Sequence, residues 1–263
     1  MSDTTPSPAD PRIASSAAVN RVPQVTPGFW LIKLTAVTMG ETAADFLAVN
    51  LGLGLGTTTV LMTAILIAAM LWQFRQKAYV PMVYWTAVVL ISVVGTLITD
   101  NMTDALGIPL LYSTIGFTVA LAATFAIWFA SERTLSIHEV FTFRREAFYW
   151  LAILFTFALG TAVGDLISEA FGVGFAGTGI LFGLIIASLA LGYFALGLDG
   201  MWAFWLCYIF TRPLGASFGD FLSQPADFGG LGLGTTVTSL VFLAVIAVTV
   251  LVMTRRAAPT RAQ

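Results

Sequence analysis

One motif recurs four times along this chain of 263 residues and constrains its fold more than any other feature. Each copy begins with an aromatic residue followed by Trp, has a Gly ten residues after the Trp, and has an Asp five residues after the Gly. The motif residues are Trp30, Gly40 and Asp45; Trp85, Gly95 and Asp100; Trp150, Gly160 and Asp165; and Trp205, Gly215 and Asp220. The copies start 55, 65 and 55 residues apart, so the sequence predicts four structural repeats in tandem.

The composition places these repeats in a membrane. Hydrophobic residues make up 58% of the chain and charged residues only 10%, which is typical of an all-α integral membrane protein and excludes an ordinary soluble domain. We predict eight transmembrane helices arranged as four two-helix repeats in two similar halves. Motif-bearing spans are expected near 29–49, 82–103, 147–169 and 201–222, and plainer apolar spans near 55–74, 108–130, 175–197 and 232–253. The repeats cover about 28–80, 81–140, 145–199 and 200–253, forming one membrane domain over 28–253.

The flanking segments and the basic residues predict the orientation. Residues 1–27 are rich in Ser, Thr and Pro and are predicted to be a disordered tail, and residues 254–263 a second tail. Ten of the twelve Lys and Arg residues fall on one side of the predicted helices, so both termini are expected in the cytoplasm. Because each repeat has two spans, the repeats should be related by an axis along the membrane normal. The four motif Trp residues are then expected to be anchors at the inner interface.

The repeated Asp is the main candidate for function. The constant spacing puts all four carboxylates at one depth, and a carboxylate facing lipid is costly, so we expect a shared acidic cluster. Glu41, four residues before Asp45, is expected to join it. Auxiliary candidates are Asp104, Glu169, Thr99, Asn101 and Arg212. Oxygen ligands suit hard cations such as Mg²⁺, Ca²⁺ or Mn²⁺, whereas one His and one Cys give no soft-metal cluster. No resident cofactor is expected.

Structural interpretations of the same residues stay open. Each motif Asp could cap a helix end or bind the backbone of a neighbouring hairpin. The motif Gly residues are expected to be packing residues, because small residues let helices approach closely in lipid. Lys33 is expected to extend to the inner interface, and Arg212 is either a counter-ion or a packing residue. His138 is expected to be a solvated loop residue.

The four copies of this two-helix motif resemble a family of bacterial multi-pass membrane proteins that is defined by a tandem repeat of unknown function. The resemblance rests on the aromatic pair, the Gly and the Asp, and it covers about residues 29–253. It implies a bacterial inner-membrane location and four two-helix repeats, and it implies no activity.

These observations favour a cation transporter. The expected substrate is a hard divalent metal ion such as manganese, with export favoured and proton coupling through the acidic cluster. The partners are the lipid bilayer and the transported ion or solute; no nucleic acid is expected, and the sequence leaves the oligomeric state open. Nothing in the sequence indicates an enzyme. The alternatives are a proton-coupled transporter of a small organic cation or polar metabolite, and a membrane scaffold that transports nothing.

Overall fold

The computed structural model describes residues 20–257, which form eight α-helices and no β-strand. The helices are α1 (Pro27–Asp45), α2 (Leu55–Phe74), α3 (Pro81–Asp100), α4 (Leu110–Glu132), α5 (Phe143–Asp165), α6 (Gly174–Leu196), α7 (Gly200–Ser223) and α8 (Thr235–Ala257). The repeat motif lies on α1, α3, α5 and α7, as predicted. Of the tails predicted at 1–27 and 254–263, residues 1–19 and 258–263 lie outside the described residues, whereas residues 254–257 continue α8.

Local sequence signals start and end the motif helices. The side chains of Thr26, Thr142 and Asp199 cap the backbone N–H groups at the starts of α1, α5 and α7. Helices α1, α3 and α5 each continue, directly after the motif Asp, into a five-residue π-helical turn. These turns are Phe46–Asn50, Asn101–Ala105 and Leu166–Ala170. Single π-helical turns occur often at functional sites, and here each begins next to a candidate carboxylate.

Long apolar helices indicate a multi-pass membrane protein. Among the described residues, six helices are long and apolar enough to cross a membrane. Helices α1 and α7 are not among the six; α1 carries Lys33, Glu41 and Asp45, and α7 carries Arg212 and Asp220. Helices α2, α4, α6 and α8 expose most of their surface, much of it large apolar side chains. The predicted all-helical, repeated architecture is therefore confirmed.

The helices form an inner ring and an outer layer. The motif helices pack in the order α1, α3, α5, α7 and back to α1. Each outer helix packs along the inner helix of the next repeat: α2 on α3, α4 on α5, α6 on α7, and α8 on α1. Each repeat is therefore a pair of consecutive helices, but its outer helix packs mainly on the inner helix of the next repeat and not on its own.

Each motif Gly lies where two inner helices approach most closely. A Cβ atom on Gly40 would collide with Ser92, and one on Gly95 would lie 3.0 Å from Phe157 Cβ. The corresponding Cβ atoms would collide with Arg212 at Gly160 and with Val37 at Gly215. Each contact involves the residue three positions before the motif Gly of the next helix. The predicted packing role of the Gly residues is supported at all four positions.

The aromatic pairs close one end of the ring, called here the aromatic end. The first aromatic residue of each pair contacts the Trp of the next repeat, at centroid distances of 5.2–6.1 Å. The contacts are Phe29 with Trp85, Tyr84 with Trp150, Tyr149 with Trp205, and Phe204 with Trp30. Trp85, Trp150 and Trp205 are buried and Trp30 is half-buried, so the prediction of interfacial anchors was wrong for the three buried residues. The spacing of the pairs serves packing around the ring.

The segment before α1 is tied to the aromatic end, which corrects the predicted disorder for residues 20–26. Arg21 N donates to Val140 O at 3.0 Å, and Tyr79 N donates to Asn20 O at 3.2 Å. The Arg21 side chain forms an ion pair with the buried Glu146 at 2.6 Å. Burial raises the pKa of Tyr79, in the α2–α3 connection, to about 12, so its hydroxyl stays neutral. These contacts hold the connections between outer and inner helices against the ring.

Candidate functional site

The side chain of Arg212 joins all four inner helices. Arg212 lies on α7 and is fully buried. Its Nη2 donates to Glu41 Oε2 of α1 at 2.9 Å and to Thr161 Oγ1 of α5 at 2.7 Å, and it also donates to the hydroxyl of Thr96 on α3. Its Nη1 donates to Val37 O at 3.3 Å. One guanidinium group therefore fixes the centre of the ring through charge-assisted hydrogen bonds.

The partners of Arg212 occupy one repeated position. The residue after the motif Gly is Glu41, Thr96, Thr161 and Ala216 in the four copies, and the structure brings the first three onto one guanidinium group. All four residues are buried. Arg212 was predicted to be a counter-ion or a packing residue, and the structure shows both an ion pair with Glu41 and close packing against Gly160.

The four motif Asp residues gather beyond this ion pair, at the end of the ring opposite the aromatic residues. Asp220 is buried, and Asp45, Asp100 and Asp165 are half-buried. Asp45, Asp100 and Asp165 are the last residues of α1, α3 and α5, and Asp220 lies three residues before the end of α7. Glu41 lies one turn before Asp45 on α1 and is paired with Arg212. We call these five acids the acidic vestibule.

The carboxylates of the vestibule are too far apart to coordinate one metal ion together. Within residues 20–257, no three side chains of His, Cys, Asp or Glu lie close enough together to hold one metal ion. The predicted metal set of Asp45, Asp100, Asp165 and Asp220 is therefore not assembled as a direct coordination site in this conformation. Separated carboxylates can still attract a cation and bind it through water, which is how Mg²⁺ is commonly held.

The predicted auxiliary residues divide into two groups. Thr99 is buried and donates to Ala158 O on α5 at 3.0 Å, and the Asn101 amide donates to Thr59 Oγ1 on α2 at 2.6 Å. Both side chains join neighbouring helices. Asp104 and Glu169 are exposed beyond the vestibule and are in electrostatic range of Asp45. They add negative charge at its mouth.

Lys33 is the functional candidate whose position the sequence did not predict. The expectation that it reaches the interface was wrong, because its side chain is completely buried. Its Nζ donates to Tyr208 O at 2.9 Å and lies 4.1 Å from the Tyr208 ring centroid. A single Lys near a helix start resembles an interfacial anchor in sequence, and the only contrary signal was its place among motif residues that all face inward.

A family model agrees with the repeat architecture. The model, described as a repeat of unknown function (DUF347), matches four segments of the chain, at residues 28–79, 83–134, 148–197 and 203–258. No curated protein and no solved structure gives a significant match. The matched segments cover most of the chain and coincide with the four repeats described above, and the chain therefore belongs to this family.

Proposed function

We propose that this member of the DUF347 family is a membrane transporter that moves a cation along the axis of its inner ring. The observation that carries the proposal is the placement of all four repeated Asp residues at one end of the inner ring, next to the buried ion pair of Glu41 and Arg212. Four like charges at one depth repel each other and are expensive in hydrocarbon. A passing cation would compensate this cost.

The proposed topology has eight transmembrane helices with both termini in the cytoplasm of a bacterial cell. Six helices are apolar enough to span on their own, and we propose that α1 and α7 also span because the other helices surround their charges. The basic residues of the connections favour a cytoplasmic aromatic end. The cyclic Gly and aromatic contacts support a pseudo-fourfold axis along the membrane normal. The vestibule then faces outward.

The proposed substrate is a hydrated hard divalent ion, with Mn²⁺ as the first candidate and export as the proposed direction. Carboxylate oxygens select hard cations, and the described residues hold no three-acid group, which favours an ion that keeps part of its water. Small organic cations are the alternative substrate class. Inhibition of Mn²⁺ flux by an organic amine, compared with inhibition by Mg²⁺, distinguishes the two classes.

The ion pair of Arg212 and Glu41 serves as the gate in this proposal. A cation that reaches Glu41 competes with Arg212 for the same carboxylate, so binding of the cation weakens the ion pair. Release of Glu41 would leave the guanidinium with only its uncharged partners, Thr96, Thr161 and Val37 O, and would weaken the contacts that join the four inner helices. The gate therefore links ion binding to separation of the inner helices.

A scaffold without transport is the second candidate, and the same Arg212 contacts favour it. A guanidinium group that joins four helices is also what a purely structural role requires. The two functions predict different behaviour for a folded variant that lacks a vestibule carboxylate: a transporter loses flux, whereas a scaffold has no flux to lose.

The test is Mn²⁺ flux into proteoliposomes that contain the full chain. We compare wild type with Asp45→Asn, Asp100→Asn, Asp165→Asn and Asp220→Asn, each checked for folded yield. Asp227→Asn is the matched control, because Asp227 is exposed in the α7–α8 connection and is not a motif residue. Saturable flux that is lost in folded motif variants and kept in the control supports transport. Absence of flux of Mn²⁺, Mg²⁺ and an organic amine in folded wild type supports the scaffold.

A further inference from the structure

A buried amine lies on the axis between the vestibule and the aromatic end. Lys33 is fully buried on α1, two turns before Glu41. Its Nζ donates one hydrogen bond, to Tyr208 O, and faces the rings of Tyr208 and Phe157 at 4.1 and 5.5 Å. Arg212 lies over the same Phe157 ring at 5.9 Å. Any ion that travels along the axis therefore has to pass both basic side chains.

The surroundings of Lys33 do not contain a carboxylate to balance an ammonium ion. Among the described residues, the salt bridges include no pair with Lys33, and the charge of Arg212, which lies over the same Phe157 ring, has the same sign. The other titratable groups that face it are the thiol of Cys207 and the hydroxyl of Tyr208, both on α7. Glu41 is already paired with Arg212. A second positive charge here is costly in a membrane interior and repels an arriving cation.

We propose that Lys33 is the residue that couples cation movement to proton movement. The proposal rests on the transport function proposed above. When a cation approaches from the aromatic end, the Lys33 ammonium gives up one proton to the solution at that end and becomes a neutral amine. After the cation leaves through the vestibule, the amine takes one proton from the vestibule side. Each cycle therefore moves one proton against one cation, and charge at Lys33 is restored.

Tyrosine hydroxyl groups offer the proton a route through the aromatic end. The hydroxyls of Tyr84 and Tyr149 share a hydrogen bond, and both side chains are fully buried. The hydroxyl of Tyr208 is buried and has no hydrogen-bond partner within the described residues, although it lies in electrostatic range of Tyr84. A buried hydroxyl without a partner is costly, and transient donation or acceptance during proton transfer gives it a role. The Lys33 amine bonds the carbonyl oxygen of Tyr208 and not its hydroxyl, so the proposed route requires the Tyr208 hydroxyl to bond transiently with the amine.

The experiment measures Mn²⁺ and protons together in proteoliposomes containing the full chain, with a metal-sensitive dye and a pH-sensitive dye in the lumen. The variants are Lys33→Met and Lys33→Gln, which cannot carry a proton, and Lys33→Arg, which cannot release one. Lys33→Gln keeps a donor for Tyr208 O, so it guards against loss of folding. Lys77→Met is the matched control, because Lys77 is the other lysine of the chain and is exposed.

We expect wild type and Lys77→Met to move protons against Mn²⁺. The Met and Gln variants should keep Mn²⁺ flux and lose the proton signal, and their flux should no longer respond to the pH gradient. Lys33→Arg should lose Mn²⁺ flux, since a fixed positive charge stays on the path. Proton counterflow at the wild-type ratio in folded Lys33→Gln would overturn the assignment while leaving transport intact. Absence of Mn²⁺ flux in folded wild type would overturn transport itself, and the coupling role with it.

Discussion

The same substitution at two glycines of α5, one helical turn apart, should have opposite effects on stability. Gly160→Ala puts a methyl group into the space occupied by Cβ and Cγ of Arg212, next to Pro213. Gly164→Ala puts the same group 3.8 Å from Ala216 and Pro213, which is ordinary contact. Both positions lie inside one helix, so the gain in helix propensity is shared. The comparison isolates the close approach of α5 and α7.

The magnitudes follow from these contacts. Replacing Gly by Ala inside a helix stabilises it by about 0.5–1 kcal/mol. Overpacking a close contact costs about 1–3 kcal/mol. Gly164→Ala should therefore raise the free energy of unfolding by up to about 1 kcal/mol, and Gly160→Ala should lower it. The difference between the two variants should be about 1–3 kcal/mol, because the propensity gain cancels.

The assay is reversible unfolding of the purified chain in mixed micelles, followed by circular dichroism. Mn²⁺ flux of the two variants adds a second readout, since a methyl group at Gly160 displaces the side chain that pairs with Glu41. Gly164→Ala should keep wild-type flux. Equal stability of the two variants, or a Gly160→Ala protein more stable than Gly164→Ala, would refute the close contact and the ring built on it.

Two further predictions concern buried charges. Arg212→Met leaves Glu41 without its counter-ion and should lower the free energy of unfolding by about 3–5 kcal/mol. The double variant Arg212→Met with Glu41→Gln should lose less stability than Arg212→Met alone, because no buried charge is left unpaired. A double variant at least as unstable as Arg212→Met in the same unfolding assay would mean that the ion pair is not the dominant contact. Glu146→Gln weakens the charge-assisted hydrogen bond from Arg21 and should lower the free energy of unfolding by about 1.5–3 kcal/mol. The control Glu139→Gln changes an exposed residue and should leave stability nearly unchanged. Equal shifts in melting temperature for the two variants would contradict this role for Glu146.

The sequence predicted the elements well because hydropathy and repeat spacing act along the chain. The span expected at 55–74 coincides with α2 (Leu55–Phe74), and the motif helices begin and end within a few residues of their predicted bounds. Neighbour relations between helices could not be predicted in the same way. The outer helices are apolar along most of their surface, so their sequences do not indicate whether α2 packs on α3 or on α1. That choice depends on the complementary shapes of the helix surfaces.

The candidate site was predicted in part for the same reason. Constant spacing predicts that the four Asp residues lie at one depth, and each lies at or within three residues of the end of its inner helix. The burial of Lys33 and of three motif Trp residues was not predicted, because aromatic and basic residues near helix ends are also what an interfacial anchor looks like. Only the cyclic contacts between successive repeats distinguish the two.

The four repeats differ at positions where the ring leaves no room for four identical large or charged residues. At the position three residues before the motif Gly, the copies carry Val37, Ser92, Phe157 and Arg212, and the residue after the Gly also varies. A central position occupied by four arginines or four glutamates would place like charges in contact, so divergence there is required for packing. The motif Asp is identical in every copy although the four carboxylates repel one another. Packing does not require that identity, and under the transport function proposed above the four acids would attract a cation to one end of the axis.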